Sequence, residues 1–232
     1  MLKRNLAELS VADGKLYRDA MARLITSHGG RVVNTWGDGL IAEFPSVVEA
    51  VRAAVDGFEA SGVVIDILVN NAGIQKRKPL EDFEPGDWRA LMAANVDSVF
   101  YVGQAVARHM IKRGRGKIIN IASVQSEAAR PTIAPYTASK GAIRNLTKGM
   151  CADWARHGIQ VNAIGPGYFV TPLNKALYED PEFDAWLRKR TPAGRWGRLE
   201  DLHGIAVFLA SPASDFVNGQ TIHVDGGLLS VL

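Results

Sequence analysis

The sequence predicts an α/β fold, a three-layer sandwich around a mostly parallel sheet of about six strands, and two observations predict it. From Val63 onward, short apolar runs alternate with long helical patterns, the rhythm of strands that helices bury on both faces. Before that point two β-rich runs flank Gly37-Asp38 and lie between helical stretches, a hairpin signal. The 232 residues are 47% hydrophobic, a usual size and composition for one α/β domain with a real core.

The elements follow in order. Residues 1–9 read as a lead-in. From Lys15 to Ser27, Leu16, Met21, Leu24 and Ile25 recur at helical spacing. His28-Gly29-Gly30 stops that helix, because glycine accepts the left-handed cap conformation. Residues 31–36 and 40–44 read as the hairpin strands. Pro45-Ser46 opens a helix to about Ala60, with Val47, Val48, Val51, Ala54, Val55 and Phe58 as its apolar stripe. Strands are then expected over 64–70, 117–122, 160–164 and 220–224. Helices are expected over 86–113, 135–157 and 200–210. Sixty-odd residues with only a hairpin bury too little surface to stand alone. The composition break at Ser61-Gly62 therefore reads as a seam inside a single composite domain, 1–232, and not as a boundary.

Composition excludes several function classes. The net charge of +3 is dispersed, and the basic run Lys112 to Lys117 lies between a helix and a strand pattern, where a solvated turn belongs. No nucleic-acid partner is expected. Cys151 is the single cysteine, so no intrachain disulfide forms and a reducing compartment fits. No apolar run reaches the ~18 residues of a membrane span. Met1 to Asp13 has no signal-peptide core. A soluble, cytoplasmic protein with no membrane partner and no metal site is expected.

The chemistry sits in Tyr136-Thr137-Ala138-Ser139-Lys140. A phenol with a pKa near ~10 is a poor base at neutral pH. Lys140, one helical turn on, shares its face and can lower that pKa through its charge. Ser123, after a strand, can hold a substrate oxygen beside Tyr136, and Asn95 can hold a water that relays the proton from Lys140. Asn70-Asn71-Ala72-Gly73 and Pro166-Gly167 complete the pattern at two other strand ends.

Together these residues resemble the active site of the short-chain dehydrogenase/reductase family over about 64–232. Residues 70–80, 123–127, 165–169 and 191–197 are most similar to its gluconate 5-dehydrogenase branch. The resemblance implies a Rossmann-like fold and oxidation of a sugar acid, or reduction of its keto form, with NAD or NADP. It implies Tyr136 as general acid/base, Ser123 as substrate anchor, Lys140 as pKa modifier and ribose ligand, and Asn95 as relay. Asn71, Ala72 and Gly73 would line the adenosine side, and Pro166, Gly167 and Thr171 the nicotinamide end. Helices 86–113 and 135–157 would pack between subunits of a homo-oligomer, a dimer or tetramer.

The family's strand, glycine-rich turn and helix for the cofactor pyrophosphate are not found before Asn70. Residues 10–60 instead resemble a piece of a class III adenylate/guanylate cyclase, carried by the run from His28 to Ser46. That family implies a metal ligand at Asp38, yet its partner aspartate has no counterpart, so no cyclase activity is expected. Strand 40–44, helix 46–60 and strand 64–70 would form a right-handed βαβ unit that rebuilds the sheet edge. The turn Phe44-Pro45-Ser46-Val47 lacks glycine, Ser46 and Glu49 form a capping box, and Glu49 repels phosphate. Weak NAD(P) binding is the expectation. The alternative is a catalytically silent chimera of cyclase and dehydrogenase fragments.

Overall fold

The computed structural model describes residues 22–36, 39–43 and 46–231, with no side-chain description between 33 and 45. Gly37-Asp38, Phe44-Pro45 and the start of the expected helix from Lys15 lie outside the described residues. The chain divides between Ile65 and Asp66 into two compact units.

In the first unit, helical turns over 22–27 end as expected at Gly29, whose φ is +70°. The Gly30 N–H closes the cap on the Ile25 carbonyl at 2.8 Å. Strand β1 (Arg31–Trp36) pairs antiparallel with β2 (Gly39–Glu43), from Arg31 opposite Glu43 to Trp36 opposite Gly39, with a bulge between Val32 and Asn34. Helix α1 (Val47–Ala60) is capped by the Ser46 hydroxyl, which accepts from the Glu49 N–H at 3.3 Å. Only that half of the expected capping box forms, because the Glu49 carboxylate turns to Arg52, 2.9 Å away. The buried residues of α1 are Ala53, Val55 and Gly57, whereas Val47 and Phe58 of the expected stripe are exposed. His28 reaches Asp56 across the unit at 3.3 Å.

The second unit is built on four parallel strands in the order β3 (Ile67–Asn70), β4 (Gly116–Ile121), β5 (Ile159–Pro166) and β6 (Thr221–Val224). Between β3 and β4 run α2 (Pro85–Met92), a π-helical turn (Ala93–Asp97) and α3 (Ser98–Arg113). Proline at the first turn of α2 costs no hydrogen bond, and α3 stops at Gly114, where φ is +70°. Helix α4 (Ala134–Trp154) joins β4 to β5. Then come α5 (Lys175–Tyr178), α6 (Pro181–Arg190) and α7 (His203–Ala210) before β6.

Side-chain alternation places helices on both faces of this sheet. Asn120 reaches Thr147 of α4 at 2.9 Å, while its neighbour Ile119 packs with Ile164 and Leu209 of α7 on the other face. Gly103 of α3 lies so near Met150 of α4 that an added Cβ would stand 2.9 Å from the Met150 methyl, which sets how closely the two helices approach. The core gathers Val106 and Met110 of α3, Ile143 of α4, and Ile118 and Val161 of the strands. Strand β6 is short because side-chain amides extend its ladder. Asn218 Oδ1 accepts from the Val161 N–H at 2.7 Å, and Asn162 Oδ1 accepts from the Gln220 N–H at 3.0 Å.

The parallel sheet and its two helical layers agree with the expected fold, but the strand count divides differently. Among the described residues the strands form a four-stranded and a two-stranded sheet, not one sheet of six. Strand β3 begins at Ile67, not at 64. No helix among the described residues is long and apolar enough to cross a membrane. None of them forms a group of three or more His, Cys, Asp or Glu able to hold a metal ion.

Candidate active site

Ligands of open parallel sheets bind beyond the carboxyl ends of the strands. Here the ends of β3, β4 and β5 surround a cavity of about 420 Å³. Asn71 and Gly73 enter it after β3, Ala122 and Ser123 after β4, and Pro166 and Gly167 at the end of β5. Tyr136 and Lys140 of α4, Thr171, and a wall of apolar residues complete it.

Ser123 caps a short 3-10 turn, its hydroxyl accepting from the Gln125 N–H at 3.1 Å, and it stands near the Tyr136 hydroxyl. Burial raises the Tyr136 pKa, the Ser123 hydrogen bond lowers it, and Tyr168 adds a small upward push. The lowering by Lys140 that the sequence predicts is not what governs Tyr136. The Lys140 ammonium donates to the Ile121 carbonyl at 2.6 Å and lies 5.7 Å from the Tyr136 ring centroid. Desolvation brings its own pKa down to about 8.

Asn95 stands in the π-helical turn, a distortion that often marks functional positions. Its carboxamide accepts from the Ile74 N–H at 2.7 Å and donates to the Ile74 carbonyl and the Ser139 hydroxyl, both at 3.0 Å. Ser139 in turn donates to the Tyr136 carbonyl at 2.7 Å. Asn95 therefore ties the loop after β3 to the helix carrying Tyr136, and both amide protons are spent on protein atoms. Beneath it a buried polar chain runs from Asn70 to Asn120 to Thr147, each link 2.9 Å.

The charged lining of the cavity is cationic. Arg77 and Arg130 line it with Lys140, and no aspartate or glutamate does. The Arg130 guanidinium lies 5.4 Å from the Phe183 ring centroid, and its charge acts on Tyr168. Gln125 donates to the Tyr168 hydroxyl at 3.4 Å. Desolvation, then the nearby Arg130 charge, lowers the Arg77 pKa. Tyr168 meets Trp196 edge-on and Phe183 meets it at a tilt, and the Trp196 indole N–H donates to Asp184 at 2.7 Å. Thr132, between Arg130 and Tyr136, holds a φ of +70°, an uncommon conformation for a β-branched residue.

Comparison with known proteins places the chain in a family. A family model described as enoyl-(acyl carrier protein) reductase matches residues 46–229. The gluconate 5-dehydrogenase of Gluconobacter oxydans (strain 621H) is 63% identical over 180 residues, covering 78% of this chain and 70% of that protein. The chain belongs to the short-chain dehydrogenase/reductase family. The 5-keto-D-gluconate 5-reductase of Escherichia coli (strain K12) is 58% identical over 179 residues, 77% of this chain and 70% of that one. A solved gluconate 5-dehydrogenase from Burkholderia cenocepacia J2315, in complex with NADP and tartrate, is 70% identical. It superposes with a TM-score of 0.78 over 78% of this chain and 71% of that one. The short-chain dehydrogenase/reductase match begins at residue 46, so α1 falls inside it, although residues 10–60 are expected to belong to another family.

Of the residues that the sequence marks for a short-chain dehydrogenase/reductase, Ser123, Tyr136, Lys140, Asn71, Gly73, Pro166, Gly167 and Thr171 all line the one cavity. Ala72 does not, and Asn95 stands behind the wall as a tie. Arg130 and Tyr168 carry no expected role, nor do Gln125 and Arg77, because single polar residues in loops have no spacing that marks them. Their convergence on one cavity is a matter of the fold.

Proposed function

We propose that the chain interconverts a hydroxyl and a carbonyl group on a sugar acid with NAD or NADP, as a gluconate 5-dehydrogenase-like enzyme. The observation that carries this is the Ser123–Tyr136 pair in a cavity whose other charged lining residues are all cations. When bound, the nicotinamide supplies or takes the hydride. Ser123 holds the substrate oxygen. Tyr136, kept neutral by burial, donates its proton to that oxygen during keto reduction and takes it back during oxidation. Asn95 positions Tyr136 through Ser139. Arg77 attracts the substrate carboxylate.

The residues present suit one half of the cofactor better than the other. Lys140, Pro166, Gly167 and Thr171 would hold its nicotinamide riboside end, and Asn71 and Gly73 would line the adenosine side. The glycine-rich turn for the pyrophosphate does not occur in the sequence. Several charge-assisted hydrogen bonds of about 1.5–3 kcal/mol each are missing with it, so cofactor binding is weak. The chain assembles as a homo-oligomer, dimer or tetramer, through α3 and α4, where Phe100 is exposed. The cyclase likeness of residues 10–60 rests on sequence alone, and Asp38 lies outside the described residues.

The test is fluorescence titration with NADPH and NADH, followed by reduction of 5-keto-D-gluconate. Saturation only at about millimolar cofactor, lost in Lys140→Ala, is expected, with turnover reduced about 10²–10⁴-fold in Tyr136→Phe. Submillimolar binding would overturn the weak-cofactor reading. Absence of both binding and turnover would leave the silent chimera.

A further inference from the structure

Arg77 and Arg130 enter one cavity, and among the described residues neither pairs with a carboxylate. Each keeps a buried Nε with no hydrogen-bond partner, and so does the Gln125 carbonyl oxygen between them in the sequence. Arg130 is not a loose surface side chain. Phe183 covers its face, Tyr168 stands close by, and both rings contact Trp196. The two guanidiniums repel each other, and burial partly desolvates Arg77. An anionic ligand would supply the compensating charge. A single carboxylate bridging both leaves one positive charge uncompensated. A carboxylate on each matches the two planar forks.

We propose that this cavity takes a six-carbon hydroxy or keto acid bearing an anionic group at both ends, with Arg77 at one end and Arg130 at the other. The second group is a carboxylate, as in an aldarate, or a phosphate. This rests on the sugar-acid reading above and adds to it the second charge and the residue that selects it. Arg130 is then a specificity-determining residue, not a part of the proton path.

The experiment is calorimetric titration of the full chain, without cofactor, with D-gluconate, D-glucarate and 6-phospho-D-gluconate, which differ only at the last carbon. At least one dianionic acid is expected to bind about tenfold or more tighter than gluconate, the value of one charge-assisted hydrogen bond or more. Which one wins distinguishes carboxylate from phosphate. Arg130→Gln removes that gain and leaves gluconate binding within about threefold, and Arg130→Lys, which keeps charge and packing stem, retains part of it. Equal binding of all three acids, no binding of any, or equal weakening of all three in Arg130→Gln would overturn the proposal. No hydride transfer is read, so failure of the redox reading leaves this result standing. Equal affinities for the three acids would overturn the proposal and leave the sugar-acid reading standing.

Discussion

At the scale of single residues, burial decides the chemistry of Tyr136 and Lys140 more than their mutual charge does. Lys140 in the unfolded chain titrates near ~10.4, and in the fold it titrates at about 8. Between those values the unfolded state binds the extra proton, so stability rises with pH across this window by roughly 3 kcal/mol. Above about pH 10 the trend reverses, because burial raises Tyr136 and Tyr168 and the unfolded phenols ionise first. Melting temperatures of wild type and Lys140→Met at pH 7.5 and 9.5 check this: the difference between the two proteins narrows or widens with pH only through Lys140. A difference that does not move would refute the buried ammonium. The same raised phenol keeps keto reduction flat from neutral into mildly alkaline pH, while alcohol oxidation climbs with pH.

At the scale of elements, the Asn70–Asn120–Thr147 chain links β3, β4 and α4 in the interior. Asn120 is 0% exposed, so Asn120→Ala strands the Asn70 amide and empties the space beside Met150. A loss of about 2–4 kcal/mol is expected in denaturant unfolding, and a change below about 1 kcal/mol would mean that water replaces the link. How far the elements were legible follows from the strength of their local signals. The helix expected over 86–113 is interrupted at Ala93–Asp97, since one residue of π geometry hardly shifts an apolar stripe. Helices α5 and α6 were not anticipated: one has four residues, and the other shows itself mainly through its Asp180 cap, which accepts from Glu182 N–H at 3.0 Å. The strands were legible because Ile118, Ile119, Val161 and Ile164 form unbroken apolar runs. The pairing of strands was less legible than their positions. Local patterns name strands, but which strands pair across a composition break is a long-range matter that no periodicity reports.

At the scale of the whole molecule, the candidate site was legible where spacing carries information and silent where loops converge. Tyr136 and Lys140 sit one turn apart on α4 and were readable, while Arg130 meets Arg77 only after the chain has crossed the sheet. The expected assembly through α3 and α4 is tested by light scattering of Phe100→Asp, which should yield a smaller particle than wild type if that face is the interface.

The cavity's lopsided charge has a kinetic side. The molecule as a whole is nearly neutral, at +3, yet one recess concentrates Arg77, Arg130 and Lys140 behind apolar walls. Such a recess focuses field lines and draws anions in before contact. An acid would then arrive faster than a neutral polyol of equal size, and added salt would slow the acid alone. Stopped-flow mixing with gluconate should show association falling by about tenfold or more between low and high ionic strength, as the Debye length shrinks from about 30 Å toward about 3 Å. Sorbitol in the same series should keep its rate, so that the protein discriminates acid from alcohol at the entrance, before Ser123 or Tyr136 has touched either one.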